Sequence, residues 1–293
     1  MTLYNQRSAN LYKTWLLMSG FFVMVIAVGF ALAQYFGDST ILYVAVAFSL
    51  LMNVGSYWFS DKLVLSMTHA KPATRTEYFD FYTVTENLCI AAGLPLPKLY
   101  VITDPAPNAF ATGRSEKHAV VCVTTGLLSM MNRSELEGVI AHELSHIQNR
   151  DMLIMTVAVV LAGFLAILAD LFLRVSMFGG DRDRNVHPAV MVLAIVGIVL
   201  APFAAKLIQM AISRRREFLA DSSGALLTRY PEGLASALEK IGGYTEPMRY
   251  TSHATAHLFI GNPFGESAKG KLHNLFATHP PVEERIQRLR SVA

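Results

Sequence analysis

Two histidines and one glutamate have the types and the spacing needed for metal-assisted hydrolysis. His142 and His146 are four positions apart, so on a helix both imidazoles lie on one face and can reach one Zn²⁺ ion. Glu143 lies beside them and can contact the open coordination position, where water binds. A carboxylate there can deprotonate the water as it attacks a peptide carbonyl. The pattern predicts a zinc-dependent peptidase and disfavours two unrelated surface histidines on a capped helix.

A zinc site needs a third protein ligand, and the segment 214–221 offers acidic candidates. Glu217 and Asp221 lie on one face of a predicted helix, at positions i and i+4. Glu217 can ligate the ion, while Asp221 can accept the N–H of a ligand histidine and fix its tautomer. Other side chains remain open as the third ligand: Asp221, His253, His257, His273 and His279. His253 and His257 share a helical spacing, but the threonine, serine and glycine around them favour a surface position.

The histidine pair must be positioned by a helix, and helix signals begin at Ser134. Ser134 and Glu137 have the spacing of a capping box. The following apolar positions recur with helical periodicity and predict the buried face: Leu136, Val139, Ile140 and Leu144.

Three short strands are predicted ahead of this helix, at residues 98–103, 108–112 and 118–124. They are bounded by turn residues, and several are rich in β-branched or aromatic side chains. Pro105 and Pro107 precede the middle strand. Because proline cannot donate to a sheet ladder, this strand is expected at an edge.

The composition indicates a membrane protein with a folded polar part. Of 293 residues, 53% are hydrophobic and 16% are charged, against about 25% charged residues in ordinary soluble proteins. Residues 14–37 and 39–60 carry no charge and predict two spanning helices that turn at Gly37-Asp38. Residues 152–169 and 188–205 are shorter candidates, near the lower limit of length, and a buried soluble hairpin is the alternative. The whole pattern predicts about four transmembrane helices.

The basic residues predict the orientation of the first hairpin. Its turn carries none, whereas its flanks do, so both flanks are expected in the cytoplasm; these residues are Arg7, Lys13, Lys62, Lys71 and Arg75. The first segment resembles a signal peptide, but it exceeds the roughly 7–15 apolar residues usual there and is interpreted as an uncleaved anchor. Three arginines between residues 173 and 188 argue against export of that later loop.

A shared metal ion imposes a topological condition on the chain. His142, His146 and Glu217 can meet only if they lie on one side of the bilayer, so the apolar region between them must cross twice or not at all. The two ligand-bearing helices then lead into the apolar segments, which places the catalytic centre near the cytoplasmic membrane face.

Charge and cysteine content exclude two further classes of protein. The net charge of +3 is small and scattered, so no nucleic-acid partner is expected. Cys89 and Cys122 are the only cysteines, which excludes a disulfide scaffold and suits reduced cytosolic thiols.

Several blocks of the sequence, in the same order, resemble the HtpX heat-shock membrane proteases, which are related to the CAAX prenyl endopeptidases. The resemblance covers nearly the whole chain and includes the preceding hydrophobic hairpin. The matching blocks are residues 108–113, 124–128, 135–146, 149–151, 217–221, 278–281 and 284–286.

The resemblance implies a mainly helical α+β fold with a zincin-like metalloprotease domain. It implies that Zn²⁺ is bound by His142, His146 and Glu217, with Glu143 as the base. His279 resembles a family histidine that could stabilise the oxyanion, and Arg285 could pair with Asp221 or brace His279. A further block resembles the strand that holds an extended substrate; it comprises Asn108, Ala109, Phe110, Ala111, Thr112 and Gly113.

The family acts in membrane-protein quality control, so the resemblance implies cleavage of misfolded or damaged membrane proteins from the cytoplasmic side of the inner membrane. The expected partners are such proteins or peptides, the lipid bilayer, and a second copy of the chain or other membrane proteases. One alternative is a prenyl-protein endopeptidase acting on lipidated C-termini. Another is a non-enzymatic transporter or scaffold that uses Asp170 and the histidines.

The expected organisation has four parts. Residues 1–60 form the N-terminal hairpin and residues 61–151 the first part of the protease domain, with the small sheet and the histidine helix. Residues 152–210 form the second apolar hairpin. Residues 211–293 complete the protease domain with the Glu217 helix and the C-terminal helices.

Overall fold

The computed structural model describes residues 3–161, 163–164, 214–250, 252, 255–265 and 280–291. Within these ranges the chain is mainly helical and contains one small sheet, in agreement with the predicted α+β class. The predicted apolar segment 152–169 falls partly outside the described residues, and the segment 188–205 falls wholly outside them. The expectation of four transmembrane helices therefore stays a prediction.

An apolar helical hairpin begins the chain, as the uncharged segments predict. Helix α1 covers Leu3–Phe36, and helix α2 covers Thr40–Trp58. Gly37 turns the chain with a φ of 68°, a left-handed value that glycine adopts at little cost. The Asp38 side chain then accepts a hydrogen bond from the Thr40 N–H at 2.9 Å. Both helices are long enough and apolar enough to cross a membrane.

A four-stranded sheet begins after the short helix α3, Ser60–Met67, and helix α4, Phe79–Ala92, lies between its first two strands in the chain. The strands are β1, Lys71–Pro72; β2, Lys98–Ile102; β3, Ala109–Gly113; and β4, Ala119–Thr124. Their order in the sheet is β1-β2-β4-β3, with β2 parallel and β3 antiparallel to β4. The edge position predicted for the middle strand is confirmed, because β3 pairs with β4 on one side and ends the sheet on the other.

Five helices complete the described chain beyond the six-residue helix α5, Thr125–Met130. They are α6, Arg133–Asn149; α7, Asp151–Leu161; α8, Arg214–Thr228; α9, Pro231–Gly243; and α10, Val282–Ser291. Helix α6 carries both histidines of the motif, and α8 carries Glu217.

The predicted capping box of α6 is wrong by two residues. Asn132 is the N-cap: its side chain accepts from the Glu135 N–H at 2.9 Å, and the Glu135 carboxylate accepts from the Asn132 N–H at 2.8 Å. Asparagine caps a helix as well as serine does, so both pairs fit the required spacing. Ser134 lies inside the helix, and Glu137 instead pairs with Arg133 at 3.3 Å on the exposed surface.

Helix α6 is buried between the sheet and helices α8 and α9, and its predicted apolar face is buried in full. Two glycines permit this close packing. A Cβ at Gly138 would lie 2.5 Å from the backbone nitrogen of Leu234 in α9, and a Cβ at Gly224 in α8 would lie 3.0 Å from that of His142. Helix α8 can therefore place its acidic side chains directly against the histidine motif.

Candidate metal centre

Three of the predicted ligands meet in a buried cluster between α6 and α8. His142, His146 and Glu217 each offer one ligand atom, and these atoms lie within 4.8 Å of one another. The Nε2 atoms of the two histidines are 3.2 Å apart. The Glu217 carboxylate lies 3.9 Å from His142 Nε2 through one oxygen and 3.6 Å from His146 Nε2 through the other.

The donor set and its spacing fit a zinc-class cation. Two atoms bound at about 2.0–2.1 Å to one tetrahedral ion lie about 3.3 Å apart. The separation of the Nε2 atoms, 3.2 Å, matches this distance, and the contacts of the carboxylate oxygens with these atoms, at 3.6 and 3.9 Å, are somewhat longer. Two imidazoles and one carboxylate also form a common catalytic zinc set, which leaves one position for water.

Asp221 contacts His142 at Nδ1, away from the cluster, and Arg285 pairs with Asp221 and also approaches the cluster, with Nη2 3.5 Å from His142 Nε2 and Nη1 4.0 Å from Glu217. Asp221 Oδ1 lies 3.0 Å from His142 Nδ1, so Nε2 is directed towards the ligand cluster. Arg285 is fully buried and donates to both Asp221 oxygens, from Nε at 2.9 Å and from Nη2 at 2.7 Å. Of the two arrangements expected for Arg285, the structure shows the pair with Asp221. Burial would raise the pKa of Asp221, but the charge of Arg285 outweighs it and holds this pKa at about 2.

Asp151 supports the second histidine in the same way. Its Oδ2 atom lies 3.2 Å from His146 Nδ1. Arg150 makes this contact possible, because it ends α6 with a φ of 57° and turns the chain so that Asp151 faces back towards His146. Each histidine thus has a carboxylate at Nδ1 and presents Nε2 to the cluster, the arrangement typical of metal-ligating histidines.

The two histidines have opposite pKa shifts. Burial lowers the pKa of His142 to about 4. Burial also acts to lower the pKa of His146, but its hydrogen bond to Asp151 and the charge of Glu217 outweigh this and raise the pKa to about 9. At neutral pH His142 is therefore neutral, while His146 carries a proton that a bound cation would displace.

Glu143 is buried beside this cluster and faces the edge strand. Burial raises the pKa of its carboxyl group to about 7, against a smaller opposing effect of the nearby Ala111 backbone in β3. A carboxyl group with a pKa near neutrality is suited to take up and release protons under physiological conditions.

The outer edge of β3 is partly covered by the segment 255–265. The Ile260 N–H donates to the Ala109 carbonyl at 2.9 Å. The Asn108 side chain also holds the backbone of Gly261, accepting from its N–H at 3.0 Å and donating to its carbonyl at 3.1 Å. This segment covers the start of the strand, whereas Ala111 lies further along, beside Glu143.

Only some of the alternative third ligands lie within the described residues. His253, His273 and His279 lie outside the described residues, as does Asp170, so the oxyanion role of His279 stays a prediction. Asp221 contacts His142 at Nδ1, not at the Nε2 atom that faces the cluster. Within the described part of the chain, only Glu217 joins the two histidines in a cluster of three. The surface position predicted for His257 is wrong: it is 1% exposed, in a short 3-10 helix, Ala256–Leu258.

Sequence reasoning assigned no role to Asp151, although it belongs to a block that carried the family resemblance. The available signal was its position: a charged residue directly before an apolar run. Asn10 in α1 was also missed. It is buried and contacts Asp151, from which it is separated by 141 residues.

Comparisons with known proteins identify a peptidase family. A family model described as Peptidase family M48 matches residues 80–293. A protein named Protease HtpX homolog from Caldanaerobacter subterraneus subsp. tengcongensis is 50% identical over 300 residues, which cover 99% of this chain and 98% of that protein. A protein of the same name from Thermoanaerobacter pseudethanolicus is also 50% identical, over 99% of this chain and 98% of its own.

A solved structure shares the fold. The crystal structure of S. mikatae Ste24p aligns with a TM-score of 0.52 and 17% sequence identity. The alignment covers 98% of this chain and 67% of that chain.

Proposed function

The chain belongs to peptidase family M48, and from this membership we propose that it is an integral-membrane, zinc-dependent endopeptidase. Its substrates are misfolded or damaged membrane proteins, cleaved on the cytoplasmic side of the inner membrane. One observation carries the chemical part of the proposal: His142, His146 and Glu217 converge from α6 and α8 in a buried site, with Glu143 beside them.

His142, His146 and Glu217 would hold the ion in this proposal. When bound, a zinc ion supplies Lewis acidity, which polarises a peptide carbonyl and makes water acidic enough to attack near neutral pH. The chain itself supplies the orientation of both imidazoles, through Asp221 and Asp151, and a buried setting that excludes bulk water.

Glu143 moves the proton during peptide cleavage. Its carboxylate takes a proton from the attacking water as the water oxygen bonds to the carbonyl carbon. The same carboxyl group then delivers the proton to the nitrogen of the leaving amine as the C–N bond breaks. The elevated pKa of Glu143 suits both transfers.

The substrate is held along β3 in this proposal. This strand is at the sheet edge, and its Ala111 backbone lies near the catalytic carboxylate. A peptide that pairs with the main chain of an edge strand binds largely independently of its side chains. Such pairing suits an enzyme whose substrates share a damaged state rather than a sequence.

Two alternative functions have less support. The relatives described above are named HtpX proteases, which does not favour a prenyl-protein endopeptidase. A function as a transporter or scaffold would not explain why two histidines, a glutamate and their supporting carboxylates converge in one buried site.

Replacing Glu217 with alanine is expected to remove most of the zinc affinity and the proteolytic activity together. The loss of affinity should exceed the roughly 10–100-fold cost of removing an outer hydrogen-bond partner, because a direct ligand is lost. Elemental analysis and chelator competition measure the metal, and cleavage of an unfolded membrane protein in detergent measures the activity. Glu239→Ala, an exposed glutamate on α9, is the control. Zinc affinity equal to that of the wild type in Glu217→Ala would refute the proposed ligand set.

The membrane orientation is proposed from charge. Lys62 and Lys71 follow the hairpin, whereas its turn at residues 37–39 has no basic residue. Both helices meet the length and apolarity of a spanning segment. By the positive-inside rule, the turn faces the exterior and the protease domain faces the cytoplasm.

A cysteine placed in the turn should report this orientation. The two native cysteines are buried, so a membrane-impermeant maleimide should react mainly with an introduced thiol. In intact cells Asp38→Cys is expected to be labelled, whereas Glu137→Cys, on the exposed face of α6, should be labelled only after permeabilisation. Labelling of both variants in intact cells, or the reverse pattern, would contradict the proposed topology.

A further inference from the structure

We propose that Asn10, near the start of the membrane helix α1, is a positioning residue for the metal centre. Its side-chain amide fixes the Asp151 carboxylate, which in turn orients His146. The N-terminal membrane helix is thereby a structural component of the zinc site as well as an anchor. This inference rests on the proposed function, because it concerns how one of the proposed ligands is held.

Asn10 is almost fully buried, with 3% of its surface exposed, and its amide has two acceptors at the end of α6. Asn10 Nδ2 donates to the Asn149 carbonyl at 3.1 Å and also to Asp151 Oδ1. The last carbonyls of a helix have no partner within the helix, so the first bond satisfies a group that would otherwise need water. The second bond connects the membrane helix to the metal centre.

The two oxygens of Asp151 have separate tasks. Oδ1 accepts from Asn10, and Oδ2 contacts His146 Nδ1 at 3.2 Å. Arg216 Nε lies 3.9 Å from Oδ1, further away than the Asn10 amide. The Asp151 side chain is fully buried. The amide of Asn10 therefore sets the rotation of the carboxylate, and this rotation directs Nε2 of His146 at the cluster.

Comparison with Thr14, a neighbouring buried residue of α1, indicates that the contact of Asn10 is more than general packing. Thr14 lies one turn further along α1 and is as deeply buried as Asn10, but its hydroxyl donates to the Asn10 carbonyl at 2.8 Å, within its own helix. Within the described part of α1, Asn10 is thus the buried polar side chain that bonds to α6 and Asp151. Thr14 provides a matched control on the same buried side of the helix.

The test measures metal affinity and the ligand field in the full-length protein in detergent. Asn10→Leu keeps the approximate shape and removes the donor, and Thr14→Val does the same for the control. Chelator competition gives the zinc affinity, and the visible spectrum of the cobalt-substituted protein reports the geometry of the ligands. We expect Asn10→Leu to bind zinc about 10-fold more weakly, at the lower end of the effect of outer partners, and to change the cobalt spectrum.

The expected pattern also includes an unchanged control and a rescue. Thr14→Val should retain the affinity and spectrum of the wild type, and Asn10→Gln, which keeps an amide donor, should recover part of the loss. If Asn10→Leu does not fold, Asn10→Ser decides the question by the same measurements, since its short hydroxyl cannot reach both acceptors.

Two results would overturn the inference while leaving the proposed function intact. One is wild-type affinity and cobalt spectrum in Asn10→Leu or Asn10→Ser. The other is an equal loss in Thr14→Val, which would show that packing of α1 alone matters. Failure of the wild-type protein to bind zinc would instead overturn the proposed function, so the two failures are distinguishable.

Discussion

Replacing Glu143 with glutamine is expected to reduce peptide hydrolysis by roughly 10²–10⁴-fold, the range typical of a lost general base. Glutamine has nearly the same shape, so the buried site should keep its packing. It cannot accept the proton of the attacking water, and the proton transfer to the leaving amine is lost with it. Zinc binding should persist, because Glu143 is not part of the cluster formed by His142, His146 and Glu217.

A matched variant separates this effect from a general loss of charge on the helix. Glu137 lies on the same helix, but it is exposed and pairs with Arg133. Glu137→Gln should cleave the same unfolded membrane-protein substrate at the rate of the wild type. Full activity in Glu143→Gln, measured at saturating zinc, would eliminate Glu143 as the base.

Glu143→Gln has a second expected effect, on the stability of the fold. Burial raises the pKa of Glu143 from 4.5 to about 7, so the folded state holds the proton more tightly than the unfolded chain. Its contribution to stability is therefore present below about pH 4.5 and is lost as the pH rises through about 7. Glu143→Gln should raise the unfolding temperature of the chelator-treated protein at pH 8 and have little effect at pH 4.5. Equal effects at both pH values would contradict the assigned cause.

The sequence predicted the parts of the site that depend on local periodicity. Four-residue spacing on a helix sufficed to place His142 with His146 and to place Glu217 with Asp221. The strand predicted at residues 108–112, and observed at 109–113, is expected at an edge because two prolines precede it, and it lies there. The family resemblance is confirmed by relatives that are 50% identical over almost the whole chain. Such features are encoded within a few residues of each other, or within blocks that a whole family shares.

The remaining features depend on contacts between distant parts of the chain. Asn10 lies in α1 and Asp151 begins α7. No rule of sequence spacing connects residues that are 141 positions apart. The capping box was misplaced because two pairs of residues fit one spacing, and only the hydrogen bonds distinguish them. His257 was expected at the surface because its sequence neighbours are polar, yet its burial depends on the tertiary packing around the segment 255–265.

Replacing Arg285 with leucine is expected to destabilise the protein by about 3–5 kcal/mol, the usual cost of removing one partner from a buried ion pair. Arg285 is fully buried, and both of its bonds to Asp221 would be lost. Asp221 would then be left as a buried carboxylate, and its pKa should rise because the charge of Arg285 is what holds it low. Denaturant unfolding of the full-length protein measures the loss of stability. Arg288→Leu is the control on the same helix, since Arg288 is exposed and its pair with Glu284 should contribute little.

A double variant separates the two roles of this ion pair. Replacing Asp221 and Arg285 together with leucine removes the uncompensated charge, and apolar replacement of a buried pair is often neutral or stabilising. Folding stability should therefore recover in the double variant. Zinc affinity should not recover, because His142 Nδ1 would have lost the carboxylate that lies 3.0 Å away and directs Nε2 into the cluster. Recovery of zinc affinity together with stability would mean that Asp221 and Arg285 serve the fold alone, and that the orientation of His142 is set by the packing of α6 against α8.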